Sequence, residues 1–322
     1  MIKKKTAVLP ELCRRVFIFL FLAPVSHASV DFDVSMQSAA YPNIVEQDYS
    51  TMMMNFFRGL YVKNNPDELK ARGMTEKKIP NILHQIWLGG SFPEEYISLR
   101  KTWIDNHPDW TFVFWTDNPV NYVCGDVVAR TFQELENALA ADHQQFLVVD
   151  VRQLTFDNRG FYDQARNYGE KSDILKWEIV YRFGGVYIDT DFECLKPLDP
   201  LQHGYDFYTG LQPLDTHMVQ LGAALFAATP GHPILKSCVE TIKDNQHMHQ
   251  IVVKTGPIHF TRCCFRNSYV DDLVNVVLPA SYLYPCGYDQ KGLPATVWQK
   301  SESFAIHHWA GSWLKPEAFE KR

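Results

Sequence analysis

The sequence lacks several features that would assign it to particular classes of protein. No apolar run reaches the roughly 20 residues that span a bilayer, and there is no internal repeat or low-complexity tract. No Cys-x-x-Cys pair is present, which argues against a structural zinc site. The 322 residues carry 31 Lys and Arg against 37 Asp and Glu. The chain therefore lacks the basic excess that non-specific nucleic-acid binding requires.

The N-terminus differs in composition from the rest of the chain. Residues 1–28 hold five basic residues and one acidic residue, with an apolar stretch from Val16 to Val25 and a small-x-small end at Ala28. This pattern predicts a secretory signal cleaved near Ala28, and hence an exported protein. A buried helix is the alternative, because ten apolar residues are too few for a membrane anchor. Removing the segment changes the formal net charge from −6 to −10.

Cysteine use leaves the redox state open. Cys13 would leave with the signal, and six cysteines would remain: Cys124, Cys194, Cys238, Cys263, Cys264 and Cys286. An even number in an exported chain permits disulfides but does not require them. Bridges and buried free thiols both remain possible.

The remaining chain divides into three parts. Residues 29–78 are predicted to form a helical extension, residues 79–313 one large domain, and residues 314–322 a tail. Within the extension, Met52 to Val62 has apolar residues at helical spacing. Packing against the large domain explains this apolar face, and contact with a membrane surface or a partner is the alternative.

From Ile79 onward, apolar strand patterns alternate with helical patterns. This alternation predicts an α/β fold with a largely parallel sheet. Ligands bind such sheets beyond the carboxyl ends of the strands. The predicted strands are 81–88, 110–115, 146–151, 186–188, 222–228, 274–278 and 304–308, and the predicted helices are 94–106, 130–143, 171–183 and 232–245.

Two carboxylates follow the apolar strand Val186 to Ile188. Asp189 and Asp191 are separated by one residue, so in extended backbone both side chains face the same way. Paired carboxylates suit a hard divalent cation such as Mg²⁺ or Mn²⁺. Surface turns also produce Asp-x-Asp, but two acids that close a buried strand are costly unless something positive compensates them.

Three further groups each have two interpretations. Asp173 and Lys176 share one helix face, either as a solvent-exposed ion pair or as ligands for sugar and phosphate oxygens. Trp87 at a strand end either stacks on a nucleotide base or packs in the core, and His84 is interpreted as a core histidine. Residues 305–313, with paired histidines and a Gly-Ser-Trp turn, belong either to a site or to the core.

Taken together, these segments resemble the DxD-containing glycosyltransferases of family 32. This family includes initiating α-1,6-mannosyltransferases and inositol-phosphoceramide mannosyltransferases, and it is related to the large clostridial glucosylating toxins. The similarity covers about residues 79–313. The matching stretches are 79–87, Trp110 with Trp115, 171–198, 255–257 and 307–313.

The resemblance implies a GT-A fold, with one Rossmann-like domain that binds a nucleotide sugar. Carried over by position, Trp87 would stack on the base. Asp173 and Lys176 would hold the donor sugar, and Ser312 and Trp313 would close over the diphosphate.

The resemblance also implies Mn²⁺ or Mg²⁺ between the motif and the diphosphate. Asp191 would bind the metal directly, and Asp189 would contact ribose and sugar hydroxyls, with a water-mediated metal contact. His308 is the first choice for a third ligand and His307 the second. The family usually has arginine where this chain has Lys176, and a point charge does not replace a bidentate fork.

The predicted function is a metal-dependent retaining glycosyltransferase. It would transfer a hexose or N-acetylhexosamine from a UDP- or GDP-sugar to a protein, glycan or lipid. A nucleotide-sugar hydrolase and a non-catalytic calcium-binding protein are the alternatives. Two locations fit an exported enzyme of this kind: the lumen of a secretory pathway, or another cell into which the protein is delivered.

Overall fold

A computed structural model of the protein describes residues 29–36, 48–119, 128–141, 146–216 and 218–320. The predicted signal sequence, Cys13 and Cys124 lie outside these ranges. The helices are α1 (Phe32–Met36), α2 (Asp48–Asn64), α3 (Pro66–Ala71), α4 (Ile97–Asn106), α5 (Phe132–Ala140), α6 (Arg159–Gln164), α7 (Tyr168–Phe183), α8 (Pro233–Glu240), α9 (Ile251–Lys254), α10 (Pro257–Asn267), α11 (Ala280–Leu283) and α12 (Ala295–Trp298). The strands are β1 (Ile82–Trp87), β2 (Thr111–Thr116), β3 (Val128–Ala129), β4 (Phe146–Asp150), β5 (Gly185–Ile188), β6 (Phe192–Cys194), β7 (Phe207–Leu211), β8 (Leu221–Ala228), β9 (Asn275–Leu278) and β10 (Ala305–His307).

Eight strands form one central sheet in the order β3-β4-β2-β1-β5-β8-β7-β9. Strand β8 is antiparallel to both of its neighbours, and the other pairings are parallel. The carboxyl ends of β1, β2, β4 and β5 therefore meet at one edge, where an α/β sheet binds its ligands. This topology confirms the predicted α/β class with a mostly parallel sheet.

A two-stranded antiparallel ribbon, β6 with β10, lies beside the main sheet. Its register places His307 opposite Phe192 and Ile306 opposite Glu193. The ribbon joins the segment after the Asp pair to a segment more than 100 residues later in the chain. Strand β10 was predicted, but β6, β7 and α10 were not.

The strand β5 and the helix before it show why the local sequence folds as it does. Asn167 caps α7 by accepting hydrogen bonds from the backbone N–H groups of Gly169 and Glu170. Gly184 and Gly185 end the helix with φ values of +65° and +90°, where other residues would be strained. All four residues of β5 are buried, so the chain delivers the Asp pair from the core to the sheet edge.

Helix α2 packs on the sheet rather than standing apart. Met53 and Phe57 are fully buried in the same hydrophobic core as the central strands. Asn64 donates from its Nδ2 to the backbone oxygen of Asn275 in β9, at 2.8 Å. Packing on the large domain therefore accounts for this apolar face. The boundary between residues 78 and 79 stays a prediction. Among the described residues, no helix combines the length and the apolar character needed to cross a membrane.

The cysteines that the structure describes are buried free thiols. These are Cys194, Cys238, Cys263, Cys264 and Cys286. Of the two possibilities left open by the sequence, the structure has the free thiols.

His84 is a core histidine, as its sequence context indicated. Its Nε2 lies 2.9 Å from the backbone oxygen of Gly184, and its Nδ1 accepts from Trp115 Nε1 at 3.2 Å. These partners define a neutral ring with the proton on Nε2. Burial lowers the pKa of His84 to about 4.

The depressed pKa of His84 predicts acid lability. The ordinary value is 6.5, so below that pH the unfolded chain takes up a proton that the folded chain does not. Between pH 7 and pH 5, this residue should lower the free energy of unfolding by about 2 kcal/mol. Urea titrations of the wild type and His84→Gln at both pH values measure the effect. The variant should lose less stability on acidification, and equal losses in the two proteins would contradict the assignment.

Candidate active site

The Asp pair lies where β5 leaves the sheet. The backbone N–H of Asp189 donates to the carbonyl of Ala224 in the antiparallel strand β8, at 2.8 Å. The hydroxyl of Tyr187 donates to Asp189 Oδ1 at 2.7 Å. Tyr187 and Asp189 are two positions apart and so share a face of the strand. The alternation of the strand could have identified Tyr187 from the sequence.

Asp191 is held from the opposite side by the segment that follows β10. Its Oδ2 accepts from the backbone N–H of Ala310 at 2.8 Å. Its Oδ1 lies 3.3 Å from Nε2 of His307. The backbone N–H of His308 donates to the Asp191 carbonyl at 3.0 Å. The backbone as well as the side chain of Asp191 is therefore fixed by this segment.

The two histidines face opposite sides of the ribbon. His307 stacks on Phe192, with ring centroids 4.8 Å apart. His308 instead directs Nε2 at Glu193 Oε2, at 2.9 Å. The β6–β10 register produces this division, because neighbouring side chains of a strand point to opposite faces. The structure therefore places the His307 ring, and not the His308 ring, beside the Asp191 carboxylate.

The residues beside the Asp pair have the chemistry of a divalent metal site. Asp189, Asp191 and His307 each offer one ligand atom, and these atoms lie within 4.8 Å of one another. Two carboxylates and one imidazole form a donor set that Mn²⁺ accepts. The other ring nitrogen of His307, Nδ1, is buried and has no hydrogen-bond partner among the described residues. The contact of Nε2 with Asp191 Oδ1 therefore favours the tautomer with its proton on Nε2.

The two carboxyl groups have opposite proton affinities. Burial raises the pKa of Asp189 to about 6; the nearby charge of Lys176 opposes this rise, and that of Asp191 adds to it. Burial would also raise the pKa of Asp191, but His307 and the N–H of Ala310 hold it at about 2. Near neutral pH both groups are therefore mostly ionised, and Asp189 gains a proton first on acidification.

Asp173 and Lys176 form a buried ion pair beside the motif, not a solvent-exposed one. Lys176 is 4% exposed, and its Nζ lies 2.6 Å from Asp173 Oδ1. The hydroxyl of Thr255 donates to Asp173 Oδ2 at 3.1 Å. Lys176 also lies over the ring of Tyr187, 5.3 Å from its centroid. The ammonium group thus lies between Asp173 and Asp189.

Trp87 ends β1, the strand that pairs with β5. It is partly buried, and its Nε1 donates to the backbone oxygen of Ser91 at 3.0 Å. Its ring centroid is 5.7 Å from that of Tyr96. Burial raises the pKa of Tyr96, and the charge of Asp191 raises it further, which places this phenol near the motif. Trp87 therefore reaches the motif through Tyr96, a residue that sequence reasoning did not identify.

Ser312 and Trp313 lie at the start of α7. They belong to a single 3₁₀ turn, Ser312–Leu314. The backbone oxygen of Trp313 accepts from Asn167 Nδ2 at 2.8 Å, and its side chain is 37% exposed. A Cβ on Gly169 would come within 2.6 Å of Trp313 Cβ, so only glycine permits this contact. The described contacts join this turn to α7 rather than to the Asp pair.

A cleft of about 560 Å³ opens beside the Asp191–His307 contact. Tyr96 borders one side, and His307 to Ala310 border another. Lys291 and Lys315 add two cationic side chains to its wall. The cleft therefore combines aromatic surface and positive charge next to the proposed ligands.

Comparison with known proteins finds similarity to one family. Residues 93–208 match the family described as "Glycosyltransferase sugar-binding region containing DXD motif". The chain is therefore similar to the DXD-containing glycosyltransferases over about a third of its length. The matched region includes α7, β5 and both acids of the motif.

Named relatives agree with this family. The chain is 26% identical over 246 residues to "Inositol phosphoceramide mannosyltransferase 3" of Schizosaccharomyces pombe, covering 72% of this chain and 60% of that protein. It is 27% identical over 200 residues to "Inositol phosphoceramide mannosyltransferase 1" of the same yeast, covering 60% and 53%. The chain thus spans little more than half the length of these relatives. Among solved structures, "PaToxG Glycosyltransferase" is similar with a TM-score of 0.46 and 16% identity, covering 67% of this chain and 78% of that one.

The hydrogen bond from Tyr187 to Asp189 predicts a pH-dependent effect on metal binding at the candidate site. The bond lowers the pKa of Asp189, so Tyr187→Phe should move that pKa further above 6. At pH 6 the dissociation constant for Mn²⁺ should rise up to about tenfold, because one pKa unit is a factor of ten in proton affinity. At pH 8 the difference should disappear. Titration calorimetry with MnCl₂ measures both values.

Tyr208→Phe is the matched control for this experiment. It also removes a buried hydroxyl. The Tyr208 hydroxyl, in β7, accepts a hydrogen bond from Gln202 Nε2 at 2.8 Å. The control should leave Mn²⁺ binding unchanged at both pH values. Equal behaviour of the two variants would show that Tyr187 does not act on the site.

Proposed function

We propose that this chain is a metal-dependent retaining glycosyltransferase that uses a UDP- or GDP-sugar. It would transfer a hexose or N-acetylhexosamine to a protein, glycan or lipid acceptor. One observation supports the proposal: Asp189, Asp191 and His307 each place a ligand atom within 4.8 Å of the others, beside the Lys176–Asp173 ion pair. In the proposed order along the nucleotide sugar, Trp87 and Tyr96 come first, Asp191 and His307 follow, and Asp189 with the Lys176–Asp173 pair comes last.

The first part of this order fits the nucleoside and diphosphate. The exposed part of the Trp87 ring offers a stacking surface for the base, worth roughly 1–3 kcal/mol. In this proposal Lys291 and Lys315, which line the adjacent cleft, attract the negative diphosphate. Ser312 and Trp313 are proposed to close over the diphosphate from the start of α7.

The second part of the order fits the donor sugar. Asp173 is held on one side by Lys176 and on the other by Thr255, so its carboxylate is preorganised to accept bonds from sugar hydroxyls. Asp189 is oriented by Tyr187 and lies beside Lys176. In this role it would accept hydrogen bonds from ribose and sugar hydroxyls. We assign no carboxylate as a nucleophile.

Asp191, His307 and Asp189 are the residues proposed to hold Mn²⁺ or Mg²⁺. When bound, the divalent ion would supply Lewis-acid stabilisation to the departing diphosphate. The chain itself provides the fixed N–H dipole of Ala310 and the buried charge of Lys176 next to this position. Both are in place before the donor binds, so no reorganisation is required when charge develops.

The relatives suggest which donors to test first. Two of them are named as mannosyltransferases that act on inositol phosphoceramide. We propose mannose as the first sugar to examine, with GDP-mannose beside the common UDP-sugars. A lipid acceptor is one of the three classes proposed here, and protein and glycan acceptors remain in the same screen.

Replacing Asp191 should abolish transfer without unfolding the protein. Donors that bind the folded form raise its melting temperature, so each is screened with Mn²⁺ and with EDTA. The matching donor should stabilise the wild type only with Mn²⁺, and Asp191→Asn should remove this shift. Transfer should fall at least about 100-fold, as expected when a charge-stabilising group is lost. Asp109→Asn is the control, because Asp109 is exposed and precedes β2, at the end of that strand opposite to the site.

The products of this assay separate the proposal from its alternatives. Free sugar as the sole product, even with acceptors present, would identify a nucleotide-sugar hydrolase. Full activity in Asp191→Asn would contradict a catalytic metal at this position. Binding of Ca²⁺ with no turnover of any donor would identify a non-catalytic protein.

Lys176 offers a second test, at the residues proposed to bind the donor sugar. Lys176→Met keeps most of the buried stem and removes the charge, which leaves Asp173 and Asp189 uncompensated. We expect kcat to fall about 100-fold or more and the KM for the donor to rise. Lys176→Arg restores the charge and the side chain usual in this family, so it should recover most of the loss. Steady-state kinetics measures both constants, and equal activity of the Met and Arg variants would contradict a role for the charge.

We also propose that residues 1–28 direct export. The enzyme would then work either in the lumen of a secretory pathway or in another cell whose cytosol supplies the donor. Cell fractionation with N-terminal sequencing of the mature protein tests this, and an intact Met1 in the exported fraction would contradict cleavage near Ala28.

A further inference from the structure

A second cluster of reactive side chains lies between α8 and α10, outside the Asp pair. Cys238 belongs to α8, and His259 and Cys263 belong to α10. Each is at most 3% exposed. One ligand atom from each residue lies within 4.8 Å of the other two. Two thiols and an imidazole at these distances suit either a metal ion or a thiol pair that forms a disulfide.

The hydrogen bonds of His259 argue against the metal. Its Nε2 lies 3.0 Å from the backbone oxygen of Cys238, and its Nδ1 lies 2.8 Å from the amide Nδ2 of Asn245. That amide nitrogen also donates to the backbone oxygen of Lys254 at 3.2 Å, which orients the Asn245 side chain. Nε2 therefore carries the proton, and the lone pair of Nδ1 is occupied. Metal binding would break one of these bonds, whereas a bond between the two sulfurs breaks neither.

We propose that Cys238 and Cys263 form a disulfide that joins α8 to α10. Their sulfur atoms already lie within 4.8 Å, and a disulfide requires about 2.05 Å. The two helices pack directly against each other, so side-chain rotation and a small helix displacement supply the difference. The structure shows the reduced form of this pair.

The oxidant is a disulfide, either of glutathione or of a thiol–disulfide oxidoreductase. The thiolate of one cysteine attacks one oxidant sulfur, forms a mixed disulfide and releases the first thiolate. The thiolate of the other cysteine then attacks the bound cysteine sulfur and releases the second. Two electrons pass to the oxidant, the two thiol protons pass to its released sulfurs, and the oxidant disulfide ends as two thiols. Because both residues are buried in the folded chain, this exchange belongs to the folding stage.

The disulfide would fix the position of α10, the helix that follows Thr255. Thr255, two residues before α10, donates to Asp173 and accepts from Trp177 Nε1 at 3.0 Å. Phe260 of α10 stacks on Trp177, with ring centroids 4.8 Å apart. Joining α10 to α8 therefore stabilises the support of Asp173.

Peptide mapping tests this pairing without any measurement of activity. The protein is refolded in a glutathione redox buffer, alkylated under denaturing conditions and cleaved with trypsin. We expect the peptide of residues 237–243 to be linked to that of residues 263–266. The oxidised protein should melt about 5–10 °C above the dithiothreitol-reduced protein. Both results concern the free protein, so they are independent of the proposed function.

Variants assign the linked cysteine, because residues 263–266 contain both Cys263 and Cys264. Cys264→Ser is the matched control, since it is a buried neighbour on the same helix, and it should keep the link and the difference in melting temperature. Cys263→Ser and Cys238→Ser should each lose both. If these variants fail to fold, fragmentation of the linked wild-type peptides by tandem mass spectrometry assigns the link to Cys263 or to Cys264.

Three results would overturn the proposal. The first is full alkylation of Cys238 and Cys263 after oxidative refolding. The second is a link that survives in Cys263→Ser, which would involve Cys264. The third is stoichiometric zinc in the purified wild type that is lost in His259→Ala, because that would show a metal site.

Discussion

Two carboxylates at the end of a buried strand require positive charge or hydrogen-bond donors close to them. Uncompensated, such charges would cost several kcal/mol each. The fold supplies these compensating groups in two sets, one for each carboxylate. Tyr187 and Lys176 lower the pKa of Asp189, while His307 and the N–H of Ala310 lower the pKa of Asp191. The site is therefore assembled around the acids, and each neighbouring element contributes one compensating group.

At Asp189 the neighbouring groups compensate the negative charge only in part. Its pKa of about 6 shows that the folded chain alone does not fully stabilise the charged form. A divalent cation at the same place would supply the missing positive charge and favour the carboxylate. The folded chain thus retains a charge imbalance at Asp189, one of the three residues proposed to hold the metal.

The sequence predicted the parts of the structure that depend on local pattern. The strand from residue 186 to 188, the Gly-Gly helix end and the same-face orientation of Asp189 and Asp191 all follow from short-range periodicity and backbone preferences. The core role of His84 was also predicted, because it lies within an apolar strand.

The choice between His307 and His308 could not be made this way. It depends on the register of β6 against β10, two segments separated by more than 100 residues, and a shift of one residue would exchange the two rings. Strand β6 has only three residues and no clear alternation, so neither its existence nor its partner could be predicted. Tyr96 and Thr255 were missed for a related reason. They reach the site from other elements, and nothing in their local sequence marks them.

Lysine at position 176 is better understood from this geometry than from the family pattern. A guanidinium binds one carboxylate through two parallel bonds, which commits most of its donors to a single partner. The Lys176 ammonium lies 2.6 Å from Asp173 and also lowers the pKa of Asp189, so one point charge serves two acids. It does so in a space bordered by the rings of Trp177 and Tyr187, 4.9 and 5.3 Å from the nitrogen. The two rings stabilise the cation between them. Lys176 therefore acts on Asp173 and Asp189 from one position.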